Sequence, residues 1–472
     1  MSFRSSPKDD ASRPLASSSR VAAADHEHRV QVGRLSFSGF RARLVRGVGW
    51  NLVATAFTQG GTFALNLIFA NLWGVRAFGQ YAIVQSTLTT LTSVANSTLG
   101  LSATRYTAEL RAGNPIRAGR VLGLCGAIAV AMALLAAGGL TLGSRAIAER
   151  FLHAPGLTIV LVIASAIVFF NIMSTFLSGS LAGLEGFPAL GRAGMVTGVL
   201  SVGIAAVSGW MWGLTGAVAG LAVSACLQTC ILYVTFEREA SRQAIRVTLS
   251  ESSKELPILF GFVAPAALNS LAAFPAIWLA NTFLVQQQNG YQQMALFAAA
   301  SSFRILVLLV PTIVNNVSLS LLNNQLGAAQ ERRYRRMFWT NLAVNAGLVT
   351  LGAGAVILLG PRLLRLFGND FTEGYAVLVV LMLATLPETL ATATTQIVQS
   401  RERMWLSFWG IVLPTYSVLI ALAYVLTPAH GARGLAWSYV AAMTIALVGA
   451  VSVVGRLGVW DRDPAEGQGP AA

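Results

Sequence analysis

Charged residues are scarce in this chain. They make up 11% of its 472 residues, whereas an ordinary soluble domain carries about 25%. Hydrophobic residues account for 55%. So few charges cannot cover the water-facing surface of a soluble protein of this length, and the composition therefore predicts an integral membrane protein.

Acidic residues are scarcer still than basic ones. The chain has 19 Asp and Glu against 33 Lys and Arg, which gives a net charge of +14. In a soluble protein this excess would indicate binding to nucleic acid, but the low charge density argues against such a partner. We expect the basic side chains to lie in cytoplasmic loops beside anionic lipid.

Cysteines and catalytic motifs are also lacking. Cys125, Cys226 and Cys230 lie in apolar segments without Cys-x-x-Cys spacing, so we interpret them as small packing residues rather than metal ligands. The sequence contains no Walker motif, no Gly-x-Ser-x-Gly and no His-Glu-x-x-His. It therefore predicts no enzymatic activity and no cofactor.

Apolar stretches of about 20 residues, the length that crosses a bilayer as a helix, dominate the remainder. They lie near 44–72, 79–104, 121–143, 157–183, 189–210, 213–236, 257–283, 291–317, 338–360, 374–400, 404–427 and 433–457. The pattern predicts an all-α integral membrane protein. We expect about twelve transmembrane helices in two six-helix lobes around a central cavity.

Basic residues alternate along these spans in a way that supports the count. With twelve spans, 26 of the 33 Lys and Arg fall on the side of the N-terminus, six fall on the other side, and Arg304 lies within a span. A miscounted helix would scramble this alternation. The positive-inside rule then predicts a multi-pass membrane protein with both termini cytoplasmic.

The spans divide the chain into two similar parts, as in transporters built from repeated bundles with a site between them. We predict a disordered cytoplasmic tail over 1–43, an N-terminal six-helix lobe over 44–236, a cytoplasmic amphipathic linker over 237–256, a C-terminal six-helix lobe over 257–457 and a cytoplasmic tail over 458–472. The linker has the composition of an interfacial helix on the membrane surface.

Arg304, near the middle of the eighth span, is the most informative residue. A mid-bilayer Arg costs at least about 2.5–3.5 kcal/mol on insertion scales, so it normally faces an aqueous cavity or a partner. Its guanidinium can hold phosphate oxygens in a bidentate manner. Glu388, the other strong intramembrane charge, is a candidate site for a coupling ion. The alternative is a structural ion pair between these two residues.

Polar stripes on neighbouring spans are candidates for the wall of a hydrophilic cavity. Amides at helical spacing share a face of the first span and a face of the second, and Asn281 lies in the seventh span, near Pro265 and Pro275, which we expect to interrupt that helix. The amides of the first two spans that we place in the cavity are Gln59, Asn66, Gln85 and Asn96. Hydrogen bonds that join helices are the alternative explanation for such stripes.

Arginines also border the predicted cytoplasmic side. Among them, Arg46 and Arg105 are candidates for receiving an anionic lipid headgroup as it enters the protein. The alternative is that they are ordinary positive-inside anchors.

Several short runs resemble bacterial polysaccharide flippases. The resemblance covers residues 44–457, and its strength comes from the order and spacing of loose motifs along the twelve spans. These motifs are Trp50-Asn51-Leu52, the run Gly74–Tyr81, Gly100-Leu101, the run Arg105–Glu109, the run Gly183–Phe187, the run Phe262–Pro265, the run Trp278–Asn281 and the run Gly431–Ala436.

The family is the oligosaccharide-lipid flippase branch of the multidrug, oligosaccharidyl-lipid and polysaccharide exporter superfamily. The resemblance implies two lobes around an alternately open cavity, and movement of a polyprenyl-pyrophosphate-linked glycan to the periplasmic leaflet. It implies that a cationic residue, here Arg304, holds the pyrophosphate, and that a polysaccharide polymerase and a chain-length regulator are partners. The rival functions are a multidrug antiporter, a flippase of peptidoglycan precursors, and a membrane glycosyltransferase or polymerase.

Overall fold

The computed structural model describes residues 57–93, 95–111, 113–248, 256–323, 331–400 and 404–456. The regular secondary structure of these residues is entirely helical, which confirms the predicted all-α class. Both predicted tails lie outside the described residues, as does Arg46. Below, "first half" means residues 57–248 and "second half" means residues 256–456.

The first half contains six helices. Helices α1 and α2 occupy 57–93 on either side of Gly74, and α2 continues through a π-helical turn, Asn96–Gly100, into Leu101–Leu110. Helix α3 is Pro115–Ala146, with a π-helical end at Ile147–Phe151, and α4 is Leu157–Gly183. Helices α5 and α6 share Phe187–Arg242 and are separated by non-helical backbone at Trp212 and Gly213.

The second half repeats this arrangement. Helix α7 is Leu256–Val285, α8 is Gly290–Asn323 and α9 is Glu331–Arg365. A short 3₁₀ helix, Asn369–Gly374, connects α9 to α10, which is Tyr375–Ser400. Helices α11 and α12 lie within Met404–Arg456, on either side of a break at Gly431.

Sharp turns at glycine account for the twelve helical segments of the described residues. Eight helices are long and apolar enough to cross a membrane, and two of them, of 56 and 53 residues, contain the breaks at Gly213 and Gly431. A straight helix of that length would extend about 80 Å, more than twice a bilayer core of about 30 Å. Gly74, Gly213 and Gly431 have positive φ, which glycine adopts without a steric penalty. Residues 57–93, which are rich in Thr and Gln, are not among the eight.

The middle of the chain differs from expectation at the two prolines, whereas the linker stays a prediction because 249–255 lie outside the described residues. Helix α7 runs without interruption past Pro265 and Pro275, because neighbouring groups in a membrane helix can accommodate proline. The predicted amphipathic linker begins as a continuation of α6, which ends at Arg242, and residues 243–248 are not helical. Ala244 adopts φ 55° there and turns the chain away from the helix.

Candidate functional site

Arg304 forms an ion pair inside the second half. Its Nη1 donates a hydrogen bond of 2.5 Å to Oε2 of Glu388, which joins α8 to α10. The guanidinium carbon lies 5.5 Å from the ring centre of Tyr439 on α12, within cation–π range. The side chains of Arg304 and Glu388 are 16% and 23% exposed to solvent. The contacts of the Arg304 guanidinium therefore join α8 to α10 and α12.

A cavity of about 330 Å³ lies beside Glu388, between α10, α11 and α12. Glu388 and Tyr416 contribute to its wall, together with five apolar side chains and the polar residues Thr392, Thr395, Gln396 and Thr415. Within the part of the chain that the structure describes, Oε1 of Gln396 in this wall and Nε of Arg304, which does not line the cavity, are buried without a hydrogen-bond partner. Leaving such groups unpaired costs about 1–3 kcal/mol each. The wall therefore offers hydroxyl groups and acceptor oxygens to a polar ligand.

Of the four predicted amides of α1 and α2, Gln85 alone lines a described cavity. This cavity has a volume of about 130 Å³, lies within the first half and is also bordered by Thr58, Thr62 and Tyr81. The amide of Gln85 donates to the Tyr81 hydroxyl at 2.7 Å. Gln59 is partly buried on α1 and is not among the residues that line this cavity.

Two of the predicted amides connect the halves. Nδ2 of Asn66 donates to Oγ of Ser302 at 3.1 Å, and Nδ2 of the buried Asn281 donates to Oγ of Ser86 at 2.9 Å. Asn96 stays within the first half, where its Oδ1 accepts a hydrogen bond of 2.5 Å from Thr175. The structure thus places the six predicted cavity residues in separate environments, and it favours hydrogen bonding between helices for Asn66 and Asn281.

The sequence analysis missed the hydroxyl groups that complete this interface. Besides Ser86 and Ser302, Thr87 accepts a hydrogen bond of 2.9 Å from Nε1 of Trp278. For Ser86 and Thr87, the signal in the sequence was their position on α2 next to the predicted stripe. Hydroxyls in helices usually bond their own backbone, as Thr87 also does with the carbonyl of Ile83, so their spacing alone does not reveal a partner on another helix.

Aromatic rings pack between the two halves at one end of the helices. Phe63 lies 5.4 Å from Phe303 and 5.9 Å from Phe367, measured between ring centres, and Phe78 lies 6.0 Å from Phe367 and 5.7 Å from Phe371. All except Phe63 are at most 3% exposed. We call these five rings the aromatic seal. On the predicted topology it lies towards the periplasm.

Backbone contacts extend the seal. The Tyr291 hydroxyl donates to the carbonyl of Leu152 at 2.6 Å, and the Gln286 amide donates to the carbonyl of Phe151 at 3.0 Å. The backbone at Gly79 lies so close to that of Tyr291 that a Cβ atom on residue 79 would be 1.8 Å from the Tyr291 carbonyl oxygen. Only glycine fits such an approach. The halves are therefore held together firmly at this end.

At the opposite end, Arg105 is exposed on the last helical turns that follow the π-helical turn of α2. Nearby, Arg111 forms an ion pair with Glu185 between that segment and the end of α4. Among the described residues, no group of three or more His, Cys, Asp or Glu side chains could hold a metal ion.

The amino-acid sequence matches a known family and a curated relative. A family model described as "Polysaccharide biosynthesis protein" matches residues 44–321. A curated relative, the EPS I polysaccharide export inner membrane protein EpsE of Ralstonia nicotianae, is 26% identical over 173 residues. That match covers 36% of this chain and only 39% of the relative.

Solved structures share the fold. An inward-facing multidrug resistance MATE family transporter of the MOP superfamily superposes with a TM-score of 0.70 at 15% identity, over 85% of this chain and 94% of the other. The lipid II flippase MurJ in an inward closed conformation gives 0.67 at 15% identity, over 85% and 87%. At this identity the matches show that this chain shares the all-helical fold of these two proteins.

Proposed function

Because the chain belongs to the polysaccharide biosynthesis protein family, we propose that it is a flippase for polyprenyl-pyrophosphate-linked oligosaccharide repeat units. It moves them from the cytoplasmic to the periplasmic leaflet by alternating access. It is a multi-pass protein of the inner membrane with both termini cytoplasmic. The resemblance found in the sequence is confirmed at the level of the family and of the fold. The name of the Ralstonia relative, an inner membrane export protein, supports the location and the pathway.

The need for an enclosed polar path supports this assignment. A glycan and a pyrophosphate cannot cross hydrocarbon unless polar groups replace their water. The lipid tail can remain in the bilayer while the headgroup passes between two lobes, one built from 44–236 and the other from 257–457. The aromatic seal holds these parts together at the periplasmic end. Its opening would release the headgroup there.

The ion pair of Arg304 and Glu388 beside the cavity between α10, α11 and α12 is the observation that carries the proposal. Arg304 offers further guanidinium donors, including the buried, unpartnered Nε, so a phosphate can bind it as Glu388 withdraws. A pyrophosphate outcompetes one carboxylate because it carries more charge and more acceptor oxygens. In the resting state Glu388 neutralises Arg304, which lowers the cost of keeping a cation within the membrane.

Coupling follows from the same pair. When a phosphate displaces Glu388 from Arg304, the carboxylate faces the cavity that it helps to line. An unpaired carboxylate at this depth favours a proton or a small cation as its new partner. Glu388 therefore serves as the coupling site. The polymerase and the chain-length regulator act on the product after it leaves.

A double neutral variant separates transport from structure. Replacing a paired Arg and Glu together is often nearly neutral for stability, whereas removing one partner leaves an uncompensated charge. We expect Arg304→Gln/Glu388→Gln to unfold at the wild-type temperature and to lose flipping of a fluorescent polyprenyl-pyrophosphate oligosaccharide in proteoliposomes. Wild-type flipping by this stable variant would make the pair structural and remove Arg304 from the site.

A multidrug antiporter of the same superfamily is the second candidate. The observation that favours it is the carboxylate of Glu388 on a cavity wall, since an acidic residue suits a cationic drug. Uptake of a cationic dye into the same proteoliposomes distinguishes the two functions. It would be measured with and without the oligosaccharide lipid as an inhibitor. Dye transport lost in Glu388→Gln, without flipping in the wild type, would establish the antiporter.

A further inference from the structure

A second charged concavity lies far from the Arg304 pair, at the predicted cytoplasmic ends of α5 and α6. It has a volume of about 500 Å³. Helix α5 contributes Ala189, Arg192, Ala193 and Val196, and α6 contributes Ile231, Thr235, Arg238, Glu239 and Arg242. Within each set the spacing places the residues on one helix face. The two faces form a notch with a basic rim and an apolar floor.

The rim carries more positive charge than the protein neutralises. Arg242 pairs with Glu239 at 3.3 Å, and this bond leaves most of the Arg242 side chain exposed. Nε of Arg192 donates to the carbonyl of Pro188 at 3.2 Å, which fixes the base of the guanidinium and leaves its terminal nitrogens for another acceptor. Among the residues that the structure describes, no carboxylate pairs with Arg192 or Arg238.

The floor continues into an exposed apolar surface of α5 and α6. Val196, Val199 and Leu200 follow one another along α5 and are 52%, 62% and 43% exposed. On α6, Tyr233 and Val234 are also exposed below the arginines. A ligand that fits this notch therefore has an anionic head beside the three guanidinium groups and an apolar chain along the α5–α6 surface.

We propose that this notch binds the phosphate headgroup of a resident anionic phospholipid of the cytoplasmic leaflet. Guanidinium groups bind phosphate oxygens in a bidentate manner, and basic pockets between membrane helices on this side recognise such headgroups. The lipid headgroup fills the notch between the start of α5 and the end of α6 and anchors these helices at the membrane surface. This site does not depend on the proposed transport function.

Native mass spectrometry can count the lipids that stay bound. We would purify the protein from nanodiscs of phosphatidylcholine with 20 mol% phosphatidylglycerol, and compare wild type with Arg192→Gln/Arg238→Gln/Arg242→Gln. The matched control is Arg246→Gln, an exposed arginine of the same side that does not line the notch. We expect the wild type and the control to retain phosphatidylglycerol. The fraction of the triple variant that retains it should be about tenfold lower.

Three results would overturn the proposal. The first is equal retention of phosphatidylglycerol and phosphatidylcholine by the wild type, and the second is retention of phosphatidylglycerol by the triple variant at the wild-type level. The third is retention of added undecaprenyl pyrophosphate without phosphatidylglycerol, which would assign the notch to the transported lipid. Melting temperatures of all variants, measured in phosphatidylcholine alone, show whether a loss of lipid reflects a loss of fold.

Discussion

Replacing Gly79 with alanine should force the protein open at the aromatic seal. The added Cβ would lie 1.8 Å from the carbonyl oxygen of Tyr291, although real Cβ atoms essentially never approach within 3.0 Å. The start of α2 and the start of α8 must therefore separate by more than an ångström. Overpacking of this kind costs about 1–3 kcal/mol, which corresponds to a shift of roughly 5–150-fold in a two-state equilibrium.

Distances between spin labels report this shift. Labels would be placed at Gly156 and Gln288, exposed positions of the first and second halves on the side of the seal, after replacement of Cys125, Cys226 and Cys230. We expect a single short distance for the wild type. In the Gly79→Ala variant, the ratio of a longer distance to the short one should rise by roughly 5–150-fold, because the closed state carries the clash and an open state relieves it.

Gly138→Ala is the matched control, because nothing lies within 4 Å of its added Cβ. It should reproduce the wild-type distance distribution. Identical distributions for Gly79→Ala and Gly138→Ala, with both proteins folded, would show that the contact at Gly79 is not part of a movable seal. The reasoning would then be refuted even if transport were altered.

Three further predictions concern polar groups within the helices. Glu388→Gln should keep the ability to bind the oligosaccharide lipid but lose acceleration of flipping by a pH gradient, and normal flipping across the pH range would remove Glu388 from coupling. Asn345→Leu should lower the unfolding temperature in detergent, at a cost of about 1–3 kcal/mol, because the fully buried Asn345 donates to Oδ1 of Asn315 at 3.0 Å; an unchanged midpoint would contradict this. Asn281→Ala removes the hydrogen bond to Ser86 and should raise the open population in the same distance measurement by less than Gly79→Ala does, whereas an unchanged distribution would limit Asn281 to packing.

The membrane fold was predictable because hydrocarbon imposes a simple length and polarity rule. Twelve apolar segments and a one-sided distribution of basic residues gave the helical segments that the structure shows, including the pairs that share one long helix. The breaks at Gly213 and Gly431 were harder to place, since a run of apolar residues does not reveal where a helix turns back. Their positive φ explains why glycine occupies these positions.

The pairing of Arg304 with Glu388 was also accessible from the sequence, because two strong charges within the membrane are expected to seek each other. The role of that pair in transport stays a prediction. The different environments of the predicted amides on α1 and α2 were not accessible from the sequence. Helical spacing shows which residues share a face, but only the packed structure shows that Gln85 faces a cavity of the first half while Asn66 reaches Ser302.

Prolines in α7 illustrate the same limit. In a soluble helix an interior proline costs about 3 kcal/mol or more, which led to the expectation of a break at Pro265 and Pro275. Within a packed membrane bundle, neighbouring helices and local adjustments can satisfy the freed carbonyl groups. Sequence alone does not contain the neighbours that decide between a kink and a continuous helix.

The central claim, transport of a lipid-linked glycan through a site that contains Arg304, can be tested in the native host. The gene would be deleted, lipid-linked oligosaccharides extracted, and the strain complemented with wild type or Arg304→Ala at equal expression. The account predicts that complete polyprenyl-pyrophosphate repeat units accumulate on the cytoplasmic face with loss of surface polysaccharide, and that only the wild type restores it. Unchanged surface polysaccharide together with new drug sensitivity would contradict the account.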